Sequence, residues 1–116
     1  MLAQKAAERG VKPAVIWHSG KLRARQTAEA FWRRCNPLST ISAARGLQPT
    51  DSTSWIVDIV AGETRDILLA GHFPHLPQLL AHLLTGNPAP ASFPPHGMVA
   101  LEELGGRWIE AWRLQS

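Results

Sequence analysis

Two short stretches of this sequence place groups that could hold an oxyanion at the point where an apolar run gives way to a helical pattern. In "VIWHSGKLRARQTAEAF" (15–31) the apolar residues are followed at once by His18, Ser19 and Arg23, and in "DILLAGHFPHL" (66–76) they end in Gly71 and His72. A guanidinium fork bonds two phosphate oxygens together, and a helix N-terminus adds backbone N–H groups that have no partner within the helix. An arginine and an imidazole converging at two such ends therefore predict a phosphate pocket. Spacing alone leaves Arg23 open to a second reading as a solvated surface arginine, and a lone histidine after a buried strand is as readily a hydrogen-bonded structural group.

The elements that must position these residues follow from the same pattern. Residues 2–9 read as a helix, with Leu2, Ala3, Ala6 and Ala7 on one side and Gly10 placed for a left-handed cap. The run 14–17 is β-branched and apolar without alternation, which predicts a strand buried on both faces. Ser19 is placed to cap the helix that follows, in which Ala24, Ala28, Phe31 and Cys35 recur at helical spacing. A short strand is predicted at 40–44, then a turn-rich loop, then a short helix carrying Trp55, Ile56, Ile59 and Val60 and ending near Gly62. The run 66–71 repeats the buried-strand pattern. Leu76, Leu79, Leu80, Leu83 and Leu84 then form one helical stripe closed by Gly86. After a proline-rich crossover, residues 98–114 predict a β-hairpin turning at Gly105-Gly106. Helices alternating with buried strands, followed by a hairpin, predict one domain over residues 1–116: an α/β chain with three layers, α/β/α, and a mostly parallel mixed sheet. Ligands of such sheets bind beyond the carboxyl ends of the strands, where Ser19, Arg23, Gly71 and His72 fall.

Composition narrows the partner classes. The chain has 116 residues, 45% of them hydrophobic and 18% charged, which is a globular balance with room for one core. No run approaches the roughly 20 apolar residues of a membrane helix, and the first residues are too charged for a secretory signal. The single cysteine, Cys35, excludes an internal disulfide framework, so a cytoplasmic setting is expected. A net charge of +3 is modest, but Lys21, Arg23, Arg25, Arg33 and Arg34 concentrate it in one element, which favours an anionic partner. None of the five tryptophans alternates with that basic cluster, so stacking on nucleic-acid bases is not expected. No carboxylate or cysteine joins the histidines at ligand spacing, so no metal and no cofactor is expected.

The motifs carry a family resemblance. "SGKLRARQTAEAF" (19–31) resembles the S-x-x-x-R-A-x-Q-T segment of the histidine phosphatase superfamily, the phosphoglycerate-mutase-like fold, and "LLAGHFPHLPQLL" (68–80) resembles its G-H-x-P-x-L segment. "ARGLQPTDS" (44–52) is similar to the G-L-x-P loop of the SixA-type phosphohistidine phosphatase branch. The order and spacing agree from residue 2 to residue 114. The resemblance implies that Arg23 clamps the phosphoryl group, that His72 is the second histidine stabilising charge during in-line transfer, that Ser19 belongs to the phosphate-binding set, and that Gly71 lets the backbone approach the ligand. It implies a partner that is a phosphorylated-histidine protein or a small phosphoester, handled through a phosphohistidine intermediate.

One part of the family pattern has no counterpart. The Arg-His-Gly motif that supplies the attacking histidine occurs nowhere in the 116 residues. In the family it closes the first strand, interior in the sheet between the strand ending at His72 and the one near 98–103, and by analogy it would precede Met1. This chain alone is then expected to be inactive, either as part of a complete phosphatase or as a non-catalytic phosphate- or phosphoprotein-binding form. Two open strand edges are also expected, favouring strand-paired dimers. The remaining candidates read as structural: His18 as a rim group, His75 and His82 as solvated residues on the polar side of the leucine helix, His96 as a loop histidine, and Asp51 as a turn former.

Overall fold

The strands at the centre of the protein are too apolar to face water on either side, and the chain covers both. The structure is a computed structural model describing all residues, Met1–Ser116. In chain order its elements are α1 (Leu2–Glu8), β1 (Val15–His18), α2 (Leu22–Cys35), β2 (Thr40–Ala43), α3 (Ser54–Ala61), β3 (Ile67–Ala70), α4 (His75–Thr85), β4 (Gly97–Leu104) and β5 (Arg107–Gln115). β1 lies between β2 and β3 and is parallel to both, Ile16 standing opposite Ile41 on one side and Leu68 on the other.

Alternation along these strands sends successive side chains to opposite layers. Ile16, Leu68 and Ala70 meet Ala3, Ala6, Ala28 and Phe31 of α1 and α2, while Trp17, Ile67 and Leu69 meet a second cluster built on Ile56, Val60 and Leu79 of α3 and α4. The result is the expected three-layer α/β/α arrangement. Small residues explain how α1 and α2 come so close: at Ala3, Ala6, Ala24 and Ala28 the helices present only methyl groups, and all four are buried. The unbroken stripe of leucines on α4 buries Leu79 and Leu80 against the opposite face.

The hairpin forms as its glycines require. Gly105 and Gly106 both have positive φ, +59° and +80°, which allows a two-residue turn whose twist matches the strands, and Leu104 pairs with Arg107 across it. Its attachment differs from a single continuous sheet. β4 and β5 form a separate antiparallel pair that shares no ladder with β3. Side chains hold it instead: Lys5 donates to the Gln115 carbonyl at 2.9 Å, the Arg9 guanidinium lies 4.4 Å from the centre of the Trp112 ring, and Met98 and Leu114 pack against the α1–α2 cluster. Between β3 and β4 runs a cleft of about 1710 Å³, with Phe31, Leu68, Ala70, Leu80 and Met98 among its lining residues.

Two local expectations are corrected. Ser19 does not cap α2: Lys21 is the N-cap residue and makes no side-chain cap. Gly20, at φ +89°, turns the chain between them, so the Ser19 hydroxyl reaches only the Lys21 N–H, at 3.3 Å, and is otherwise engaged elsewhere. The short strand ends at Ala43 rather than residue 44, where the backbone leaves the ladder after one further bond from Ala44 N–H to the His18 carbonyl.

Two outcomes follow from this architecture. Ile16→Ala, which truncates a fully buried side chain on the strand shared by both parallel ladders, is expected to cost about 2–5 kcal/mol in chemical denaturation. The 116-residue chain, with one edge of β3 and one of β4 unpaired, is expected to self-associate with concentration in sedimentation measurements; a monomer with a cooperative melt above about 60 °C would contradict this.

Candidate functional site

The register of β1 and β3 assembles the site. His18 and Ala70 are direct partners in that parallel pair, so the residues that follow them leave the sheet at the same edge and side by side. On the first strand the His18 imidazole is buried and accepts the Gly20 N–H through Nδ1 at 3.0 Å, which fixes the turn before α2. On the second, Gly71 and His72 lead toward α4. The two turns are joined by a hydrogen bond between Ser19 Oγ and His72 Nε2, 2.6 Å long. Gly71 sits in a tight place: a Cβ there would lie 3.3 Å from Leu76 Cδ2 and 3.5 Å from the Leu47 carbonyl oxygen. Arg23, in the first turn of α2, is exposed and lines the same cleft as Gly71 and His72. All four residues singled out from the sequence therefore stand at one end of the parallel sheet.

Its surroundings disfavour the protonated form of this histidine. Burial lowers the His72 pKa below the ordinary imidazole value, and the positive charge of Lys21 lowers it further. A neutral ring with one nitrogen engaged by Ser19 has a single defined tautomer for each direction of that bond, so the hydroxyl sets which face of the ring can donate. Arg23 has no acidic partner, the ion pairs of the protein being Arg65 with Glu63 and Arg113 with Glu110. Its guanidinium is free to take an anion.

The loop between β2 and α3 is strapped to this edge. Gln48 donates through Nε2 to the Ser19 carbonyl, 2.5 Å away, and through its backbone N–H to Asp51 Oδ2 at 2.9 Å. Asp51 thus closes a turn, as expected of it. Gly46, at φ +95°, lets the loop pass over α3 where a Cβ would come 3.0 Å from that of Trp55. Gln48 was not signalled by the sequence, because the position is an unspecified one within the G-L-x-P pattern and its contact is made across 29 residues.

His75 is not solvated, contrary to expectation, and His82 is half-buried. His75 is fully buried and neither of its ring nitrogens has a hydrogen-bond partner, while His82 Nδ1 contacts the hydroxyl of the buried Thr53 at 2.7 Å. The side of α4 that carries both residues faces α3 and the strapped loop, so seven-residue spacing marks an interface and not a wet face. Burial pushes the His75 pKa down, Asp51 opposes that, and His72 adds to it. His96 is exposed in the turn before β4, and Arg25 and Arg33 are exposed on α2. No group of three His, Cys, Asp or Glu side chains is arranged to hold a metal ion, and no helix is long and apolar enough to cross a membrane.

Lowered histidine pKa values have a signed consequence. The folded state disfavours protons on His72 and His75, whereas the unfolded chain binds them below about pH 6.5, so stability is expected to fall as pH drops through 6.5. His75→Leu is expected to flatten that fall in urea titrations at pH 7.5 and 5.5; an unchanged slope would show that the buried ring is not its source.

Comparison with known proteins bears on the fold. The chain superposes on a solved structure of the protein histidine phosphatase SixA complexed with tungstate with a TM-score of 0.84, at 21% identity over 97% of this chain and 75% of that one. It superposes on a SixA from Agrobacterium tumefaciens, assigned as a phosphohistidine phosphatase, with a TM-score of 0.74, at 26% identity over 98% of this chain and 77% of that one. No protein-family model and no curated protein sequence matches the chain.

Proposed function

We propose, from the premise that this chain is a SixA-type member of the histidine phosphatase superfamily by its fold and the order of its motifs, that it acts on phosphohistidine carried by a partner protein. The observation that carries the reading is the junction of the two strand-end turns through Ser19 and His72, with the unpaired Arg23 on the same cleft. In this reading Arg23 holds two phosphoryl oxygens, His72 donates to a third, Ser19 orients His72, and Gly71 leaves the backbone open to the ligand. Tungstate, the ligand in one of the solved SixA structures, is a tetrahedral oxyanion of the same kind.

Hydrolysis requires one further group. An imidazole nitrogen must bond to phosphorus as the phosphorus–nitrogen bond of the substrate breaks, the leaving imidazole takes a proton, and water then cleaves the phosphorylated enzyme. None of the five histidines stands in an Arg-His-Gly motif. Residues of β3 and β4, which share no ladder, line one cleft together with His72, and in this reading a strand seated between them ends beside His72. We assign the nucleophile to such a strand. Where none is supplied, the same site binds phosphate or a phosphoprotein without turnover, and the absent motif favours this second reading for residues 1–116 alone. The single thiol and the nature of the substrate fit a cytoplasmic setting.

Inorganic phosphate at about ten times its Kd is expected to raise the Tm by roughly 5 °C, and not to raise it in Arg23→Ala. Equal shifts in both proteins would remove Arg23 from the site. The intact mass of the protein from its own cells separates the two readings: added mass containing an Arg-His-Gly peptide, with turnover of a phosphohistidine protein that falls at least about 100-fold in His72→Ala, supports the phosphatase. A mass matching these 116 residues supports the binding form.

A further inference from the structure

Beside the Ser19–His72 junction lies a second, smaller cavity of about 380 Å³ that the reading above does not use. Ser19 forms one end of it, and Arg45, Gln48, Asp51 and Trp55 form its polar and aromatic walls. Its size is that of a small ligand pocket or a few side chains. Ala43 and Ala44 line the remainder, so the space is open because the nearby side chains are short.

Arg45 is held ready in this cavity. Its guanidinium lies 4.9 Å from the centre of the ring of Trp55, a residue 47% exposed, and no carboxylate is within ion-pair distance of it. Stacking fixes the plane of the fork while leaving its N–H groups unsatisfied. Asp51 lines the same cavity. Its Oδ2 accepts the Gln48 N–H, which leaves lone pairs on both oxygens for further N–H donors, while its negative charge repels a second phosphate. A guanidinium free to bind an anion and a carboxylate free to accept an N–H, lining one cavity, match an amino-acid residue with an acidic side chain and a peptide amide. They do not match a bare polyphosphate.

We propose that the Arg45–Trp55 cavity is a subsite for an aspartate or glutamate next to the phosphohistidine of the partner protein. The proposal rests on the phosphate reading of the neighbouring site and names the substrate class that site takes: a phosphohistidine in an acidic sequence context. Gln48, which bridges the Ser19 carbonyl and the Asp51 turn, ties the two sites into one surface.

The test is a binding comparison on the 116-residue chain with two seven-residue peptides, each carrying a non-hydrolysable phosphonate in place of phosphohistidine and flanked by aspartates or by asparagines. The aspartate peptide is expected to bind about threefold to fivefold tighter to the wild type. That ratio is expected to vanish in Arg45→Ala and to invert in Arg45→Glu, and to survive in Arg25→Ala, the same loss of charge outside the cavity. A ratio that persists in Arg45→Ala, that falls equally in Arg25→Ala, or that is absent from the wild type overturns the subsite. Inorganic phosphate separates the two readings: phosphate protection that depends on Arg23 with a ratio independent of Arg45 leaves the phosphate site standing and removes the subsite, whereas an Arg45-dependent ratio without phosphate protection overturns the phosphate reading, and with it the subsite as one for a residue next to phosphohistidine, leaving an acidic-residue site at Arg45 alone.

Discussion

The parallel pairing of β1 with β3 is the constraint on which the rest depends. Because the two strands run in the same direction and His18 stands opposite Ala70, the turns that follow them emerge together. An antiparallel pair, or a slip of one residue, would separate Ser19 from His72 or send one of them to the other face. Burial enforces this register: a slip would exchange Ile16 and Leu68, facing α1 and α2, with the set facing α3 and α4, whose helices present differently shaped surfaces. The packing of two cores thus sets a 2.6 Å contact at the strand ends.

Charge at that edge is arranged with little compensation. Lys21, Arg23 and Arg45 stand near the junction without carboxylate partners, and the one acid in the strapped loop, Asp51, is engaged by a backbone N–H. Two imidazoles whose pKa values are lowered by burial lie nearby, His72 partly covered and His75 wholly so. An unpaired buried imidazole costs stability that a leucine would not. A region that keeps cations exposed and bases neutral attracts anions while remaining uncharged where an anion would be desolvated.

The hairpin shows a different economy. With no ladder to β3, it is fastened to the body by a lysine, an arginine over the Trp112 ring and a few apolar contacts. Side-chain anchors of this kind are weaker per contact than a continuous ladder with its buried backbone bonds. The same opening that weakens the attachment leaves Arg23 and His72 accessible along the cleft wall.

Much of this was legible in the sequence. Unalternated apolar runs identified β1 and β3, the leucine stripe identified α4, and paired glycines identified the hairpin turn, because each depends on contacts within a few residues. The motifs at residues 19–31 and 68–80 named candidate residues, and the structure brings those residues to one end of the parallel sheet. Tertiary structure alone decided what crosses between elements: that Ser19 bonds His72 and not the start of α2, that Gln48 straps a loop to a carbonyl 29 residues away, that Arg45 stacks on Trp55, and that His75 is buried. A hydrophobic pattern records that a face is covered. It does not record which polar group meets which across the cover, since that is set by the register and distance of elements far apart in the chain.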